Sequence, residues 1–239
     1  MEGTASRMSK NGIIRIDVVE PKQYIVNEIF YSIQGEGPQI GMPAVFIRLT
    51  GCNLDCPWCD TKYAMEEGVQ MTLEEIVEDV IHYKCPNVVI TGGEPMLQPL
   101  KDLVLKLSSY RKKIYIETNG TIYDSGLIGF ATFIVSPKIT QGTIYKGKVL
   151  SSYRENLGKW SIHGNFKFVI DTKDDLDDVV KFCDSVKPYK PVYLMPQATD
   201  EKEMKDKILW LIDEVKNTYP YFRVTPRIHI WLYGNQRGV

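Results

Sequence analysis

Ala44-Val45-Phe46-Ile47-Arg48-Leu49-Thr50-Gly51-Cys52-Asn53-Leu54-Asp55-Cys56-Pro57-Trp58-Cys59-Asp60 joins an apolar, β-rich run to three cysteines spaced C-x3-C-x2-C. The run reads as a buried strand, so the cysteines fall on a loop at its C-terminal end, where α/β proteins build active sites. The set is one ligand short. A cubane iron–sulfur cluster has four irons, each wanting a ligand from outside the cluster. Three thiolates leave one iron open to a substrate or cofactor. Structural zinc is the rival reading, because it also takes clustered cysteines, but it usually needs four protein ligands. No second C-x2-C exists here, Cys85 and Cys183 stand apart, and His82, His163 and His229 are far apart in sequence. Disulfides fit poorly: the cysteine count is odd at 5, and no signal peptide precedes them. Free thiols are the remaining reading, and Cys85 and Cys183 read as small buried residues.

Outward from this loop, apolar runs alternate with helical patterns. Thr72-Leu73-Glu74-Glu75 is a capping-box start, followed at helical spacing by Ile76, Val77, Val80 and Ile81. Further helices are predicted at Leu100–Leu107, Asp177–Val186 and Lys202–Asn217. Strands are predicted at Val88–Thr91, Ile114–Thr118, Phe133–Val135, Phe166–Ile170, Val192–Met195 and Ile228–Leu232. Repeated βα units imply a parallel sheet, and about six of them make an open partial barrel of (β/α)6 type rather than a closed eight-stranded one. Ile14–Val19 and Tyr24–Tyr31 read as a hairpin on its edge. Residues 1–7 read as a small, polar tag remnant ahead of Met8, and residues 8–239 as a single domain.

Polar groups gather just after the strands: the cysteine loop, Thr91-Gly92-Gly93-Glu94-Pro95, Glu117-Thr118-Asn119, Ser136-Pro137-Lys138 and Pro196-Gln197. In a parallel barrel these ends share one rim and one cavity. Composition is ordinary for a globular protein, 44% hydrophobic and 25% charged, and a formal net charge of −1 gives no bulk field to recruit nucleic acid. No apolar run reaches membrane-spanning length, and the cysteine usage points to a reducing cytoplasm.

The cysteine triad with Trp58 before its last member, and Gly92-Gly93-Glu94-Pro95, resemble the radical S-adenosylmethionine (SAM) superfamily. Ile29–Gly37 (with Gln34-Gly35-Glu36-Gly37), Phe46–Leu54, Trp58–Thr61, Ser136-Pro137-Lys138 and the ending Tyr233–Val239 narrow the resemblance to the 7-carboxy-7-deazaguanine synthase family. The resemblance implies a full or partial (β/α) barrel with a [4Fe-4S] cluster on Cys52, Cys56 and Cys59, SAM on the open iron, and Mg²⁺. It implies hydrogen abstraction from 6-carboxy-5,6,7,8-tetrahydropterin, ring contraction with loss of ammonia, and regeneration of SAM. It implies Thr61 as magnesium ligand; Ile33, Gln34, Gly35, Glu36, Arg48, Thr91 and the carboxylate of Val239 as substrate contacts; and Trp58, Asp60, Gly93, Glu94, Ser136, Pro137, Lys138 and Gln197 around SAM. Arg48 offers a bidentate fork for a carboxylate. A small-molecule pterin substrate, an external electron donor of flavodoxin or ferredoxin type, and a homodimer follow from the same resemblance; no nucleic-acid or membrane partner does. Two alternatives stand beside it: another radical SAM enzyme such as a glycyl-radical activase, and a non-catalytic metal-binding module.

Overall fold

The computed structural model describes residues 23–139, 144–145, 149–234 and 236–238. In chain order these form β1 (Gln23–Ile33), β2 (Pro43–Leu49), β3 (Leu54–Asp55), β4 (Val69–Thr72), α1 (Leu73–His82), β5 (Asn87–Gly92), α2 (Leu100–Ser109), β6 (Lys113–Thr118), β7 (Ala131–Val135), β8 (Ile144–Tyr145), α3 (Val149–His163), β9 (Gly164–Ile170), α4 (Lys173–Val186), β10 (Tyr193–Pro196), α5 (Glu201–Thr218), β11 (Arg223–Val224) and α6 (Ile228–Tyr233). Among the described residues, nine strands make one sheet in the order β11-β10-β9-β7-β6-β5-β2-β1-β4. From β2 to β11 every pairing is parallel. β1 runs antiparallel to both β2 and β4. The sheet does not close, so the architecture is the open partial barrel predicted from the alternating pattern.

Because each parallel strand is added beside the last, the crossovers all advance in one direction and put their helices on one face. That face is the core. Val45, Ile47 and Leu49 of β2, Val88 and Ile90 of β5, Ile114 and Ile116 of β6, and Phe166 and Phe168 of β9 pack there. Ile76 and Val80 of α1, Leu103 and Leu107 of α2, Trp160 of α3, Val179 of α4 and Leu211 of α5 cover them. Each such fully buried side chain contributes about 1.5–3 kcal/mol.

Side chains alternate across a strand with period two. The intervening residues therefore face the other side, and these include Phe46 and Arg48, Val89 and Thr91, Tyr115 and Glu117, and Lys167 and Val169. Register pairs place Phe46 beside Val89 and Arg48 beside Thr91. The sequence thus writes two faces into the same strands, one wholly apolar and one that turns polar toward the C-terminal ends.

The capping box of α1 forms: Thr72 Oγ1 accepts from Glu75 N at 3.2 Å and Thr72 N donates to Glu75 Oε2 at 2.7 Å. A second box, Thr172 with Asp175, starts α4 at Lys173 rather than at Asp177. β4 and α3 are additions to the predicted elements.

The predicted last strand, Ile228–Leu232, is instead the short helix α6. Its alternating run is too short for periodicity to separate strand from helix. The place beside β10 goes to Arg223–Val224, and in α6 only Ile230 is buried, with Trp231, Leu232 and Tyr233 exposed. Tyr24–Tyr31 lies within β1; Ile14–Val19 and the proposed tag at residues 1–7 lie outside the described residues.

Candidate active site

The C-terminal ends of the parallel strands open on a cavity of about 670 Å³. Its wall includes Cys52, Cys56 and Cys59, and its floor Arg48 of β2, Thr91 of β5, Glu117 of β6 and Lys167 of β9. The cysteine loop is held by close backbone contact with the glycine turn after β5. Gly93 N donates to Leu49 O at 3.2 Å and Glu94 N to Gly51 O at 2.8 Å. A Cβ on Gly93 would lie 2.9 Å from Cys52 Cβ and closer still to Gly51 O, and one on Gly92, at φ +142°, would strike Leu49 O. Only glycine lets the two loops approach this far.

Glu94 braces this turn from beneath and does not line the cavity. It is fully buried and accepts from Met96 N at 2.9 Å, Thr118 Oγ1 at 2.8 Å and Asn119 N at 2.6 Å, so it ties the turn after β5 to the end of β6. Burial pushes its carboxyl up to about 7 against the pull of those three donors. Pro137 also stays off the cavity surface. Both residues belong to the cofactor set drawn from the resemblance, and here they shape the loops behind the wall.

Each thiolate on a cubane binds a different iron, so three cysteines on one cavity wall supply three of its four outside ligands. Cys59 N donates to Cys56 O at 3.1 Å, and Cys59 Sγ lies 3.7 Å from Thr61 Oγ1. Burial pushes the Cys52 thiol up. Three thiolates in this half-buried wall therefore call for the cationic charge that iron brings. The donor set, the cradle that glycine keeps clear and the exposure to one cavity all fit a three-cysteine cluster.

On the floor the charges alternate. Lys167 Nζ lies 2.7 Å from Glu36 Oε2 and 3.3 Å from Glu117 Oε1. Gln34 Nε2 donates to Glu117 Oε1 at 3.0 Å, and Thr91 Oγ1 to Glu117 Oε2 at 3.4 Å. Arg227 Nε lies 2.7 Å from Glu36 Oε1, and Arg227 NH2 also pairs with Asp60. Burial opposes charge on Glu36, but Lys167, Arg227 and His229 together hold its carboxyl well below the usual carboxylate range. Burial likewise opposes charge on Lys167, which Glu117 and Glu36 hold protonated above its ordinary value. Burial pushes His229 below its ordinary value, against the pull of Glu36.

Arg48 is oriented from behind. Its Nε donates to Glu28 Oε1 at 2.7 Å, and its guanidinium lies 5.6 Å from the Phe30 ring centre and 5.7 Å from that of Tyr63. NH1 and NH2 keep no protein acceptor among the described residues, on a side chain that lines the cavity. Lys138 Nζ donates to Ser136 Oγ at 2.7 Å and sits 5.3 Å from the Trp58 ring centre, and burial pushes it below its ordinary value.

The structure therefore brings Ile33, Gln34, Gly35, Glu36, Arg48, Thr91, Trp58, Asp60, Gly93, Ser136, Lys138 and Gln197 to the same cavity as the cysteines and Thr61. Val239 lies outside the described residues. Four further cavity residues, Glu117, Lys167, Arg227 and His229, carry no role in the sequence reading. One signal was available for Lys167: a lone cation inside the otherwise apolar run Phe166-Lys167-Phe168-Val169-Ile170 of a parallel strand.

Comparison with known proteins follows the same lines. Residues 46–131 match the Radical SAM superfamily model. The 7-carboxy-7-deazaguanine synthase of Hyperthermus butylicus is 36% identical over 219 residues, 86% of this chain and 91% of that one. The synthase of Pyrobaculum aerophilum is 36% identical over 222 residues, 89% of this chain and 96% of its own. The crystal structure of QueE from Escherichia coli superposes with a TM-score of 0.64 at 26% identity, covering 85% of this chain and 93% of that one. With the cysteine wall, the glycine cradle and the open sheet in agreement, the chain belongs to the 7-carboxy-7-deazaguanine synthase family of radical SAM enzymes.

Proposed function

We propose that the chain is a carbon–nitrogen lyase that converts 6-carboxy-5,6,7,8-tetrahydropterin to 7-carboxy-7-deazaguanine with loss of ammonia, in 7-deazapurine (queuosine or archaeosine) biosynthesis. The observation that carries this reading is one cavity with two unlike sides: a three-cysteine wall and a floor of paired charges on which the Arg48 terminal nitrogens meet no acceptor among the described residues. A glycyl-radical activase acts on a protein backbone and has no use for such a floor. Anaerobic turnover of the tetrahydropterin with SAM, a low-potential reductant and Mg²⁺ tests it; SAM cleavage without deazaguanine formation would overturn it.

When bound, a [4Fe-4S] cluster with SAM supplies the one-electron chemistry that generates a hydrogen-abstracting radical. The chain's own residues bind, orient and shield. Cys52, Cys56 and Cys59 hold the cluster. Gly93, Ser136, Lys138, Gln197, Trp58 and Asp60 surround SAM, with the close approach of the Gly93 backbone leaving no side chain in the way. Gln34, Glu36, Thr91 and Glu117 present acceptors and amide groups to the pterin edge, and Lys167 fixes both carboxylates in place. Residues 8–239 act as one catalytic domain in a cytoplasmic homodimer served by a flavodoxin- or ferredoxin-type donor. No helix among the described residues is long and apolar enough to cross a membrane.

Arg48 is assigned to the substrate carboxylate. Its Nε is already committed to Glu28, so the two terminal nitrogens form the fork. Arg48→Lys keeps the charge and loses both the fork and the anchored geometry. Substrate binding should weaken by about 1.5–3 kcal/mol, the worth of a hydrogen bond to a charged group, with SAM binding unchanged. Isothermal titration of both ligands checks this, and parent-like substrate affinity would return Arg48 to a purely structural pair with Glu28.

Thr61 is assigned to Mg²⁺ together with substrate oxygens and waters, as that hard cation prefers. Its hydroxyl lies beside Cys59 and lines the cavity, which puts it where cluster and substrate meet. Thr61→Val keeps the shape and removes the oxygen. It should raise the Mg²⁺ concentration needed for half-maximal turnover and leave the cluster spectrum intact. An unchanged Mg²⁺ dependence would leave Thr61 as the residue that starts the turn at Lys62–Met65.

A further inference from the structure

We propose that Arg227 is a positioning residue that fastens the loop carrying Cys59 to the loop carrying Glu36, and so fixes the cluster wall relative to the substrate floor. This rests on the function proposed above. An open barrel has a seam, here between β1 at one side of the sheet and β10 with β11 at the other. Arg227 follows β11 and is 6% exposed. Its guanidinium reaches three segments at once. Nε meets Glu36 Oε1 at 2.7 Å, in the loop after β1. NH2 pairs with the Asp60 carboxylate, next in sequence to Cys59. NH1 donates to Ala198 O at 2.9 Å, after β10. The next backbone amide, Ile228 N, donates to Gly35 O at 3.0 Å, so the main chain crosses the seam as well. Gly35 permits this crossing, because a Cβ there would run into the His229 ring.

The result is a continuous chain of alternating charge, Asp60–Arg227–Glu36–Lys167–Glu117, from the residue beside a cluster ligand to the middle of the floor. Arg227 is the only link between Asp60 and the rest of that chain among the described residues. A planar fork with separate donors can hold three acceptors in fixed directions, which an ammonium cannot do. A buried ion pair is weak support for stability, since an apolar replacement often leaves stability unchanged. Positional coupling between the wall and the floor is therefore the stronger account of why a buried arginine stands here.

The test uses reconstituted enzyme with SAM bound. Two quantities are read: the affinity for the stable product 7-carboxy-7-deazaguanine, by anaerobic calorimetry, and the 5′-deoxyadenosine released per product formed. Arg227→Lys should weaken product binding by about tenfold, the scale on which neighbours in one ion-pair network couple, and raise the 5′-deoxyadenosine-to-product ratio, with iron content retained. Asp60→Asn weakens the link from the cluster-loop side and should raise the same ratio; because Asp60 also borders SAM, SAM affinity is measured beside it and should stay at the parent value, and the double variant should be no worse than Arg227→Lys. If parent turnover is intact and both single variants bind product and couple as the parent does, the inference is wrong and the function reading stands. If the parent neither binds nor forms the product, the function reading falls and takes the inference with it.

Discussion

Cys52→Ala, Cys56→Ala and Cys59→Ala should each abolish the brown chromophore and all SAM cleavage, whereas Cys85→Ala and Cys183→Ala should keep both. The contrast follows from placement. The first three thiols share the cavity wall, and losing one leaves two irons of a cubane without protein ligands. Cys85 is buried just before β5 and donates to Pro43 O at 3.2 Å, so it serves as packing away from the cavity. Cys183 sits on α4, where burial pushes its thiol up to about 12 and keeps it protonated and inert. Iron and sulfide analysis after anaerobic reconstitution, with 5′-deoxyadenosine measured on the same samples, decides the matter. A triad variant with near-normal 5′-deoxyadenosine would break the cluster assignment, and about one zinc per chain in place of about four iron would favour the metal-binding module.

The parts of this molecule that were legible in its sequence are those fixed by short-range physics. Parallel strands buried on one face read as β-branched runs, and every predicted strand from Ala44 to Met195 is present within a residue or two at its ends. Capping at Thr72 was legible because the box is local; the same device at Thr172 places Asp rather than Glu three residues on and was passed over. Ile228–Leu232 misled because its conformation is set from outside. Arg227 pairs with Glu36, far back in sequence, and Ile228 N bonds Gly35 O, so tertiary contacts turn a strand-like run into a turn of helix.

The candidate site divides the same way. Motif residues at strand ends came to one cavity because a parallel sheet aligns its C-terminal ends. Glu94 and Pro137 carried the motif but shape the loops from behind. Glu117 stands on the predicted rim with Thr118 and Asn119 but was given no role, and Lys167 escaped notice because it lies within a strand, where only the two-residue alternation shows that it points into the cavity. Arg227 and His229 escaped because nothing local brings the segment after β11 to the loop after β1.

Lys167→Met should be the most destabilising single change on the floor. Methionine fills much the same space, so the loss is chiefly of charge. Lys167 is 4% exposed and serves two carboxylates. Without it Glu36 keeps Arg227, but Glu117 keeps only the neutral donors Gln34 and Thr91. Breaking a buried pair from one side costs about 3–5 kcal/mol, because an uncompensated charge is left behind. In a chain of this size each kcal/mol lowers the thermal midpoint by about 2–4 °C. The sign of the pH dependence separates this cause from lost packing. Glu36 is held well below the ordinary carboxylate value, so in the parent it contributes stability that is present above that ordinary value and lost as pH falls through the lowered one. Removing Lys167 takes away one of the cations that hold the Glu36 carboxyl down, so it moves back toward its unfolded value. The gap between parent and variant should then be widest near neutral pH and close as pH falls below the ordinary carboxylate value through the lowered one, where the parent's Glu36 takes up its proton as well. Urea midpoints of the two proteins across that range measure the gap. A gap of constant size would assign the loss to the lysine's aliphatic stem, and no gap at any pH would mean that the floor's ion pairs orient ligands without adding to the stability of the fold.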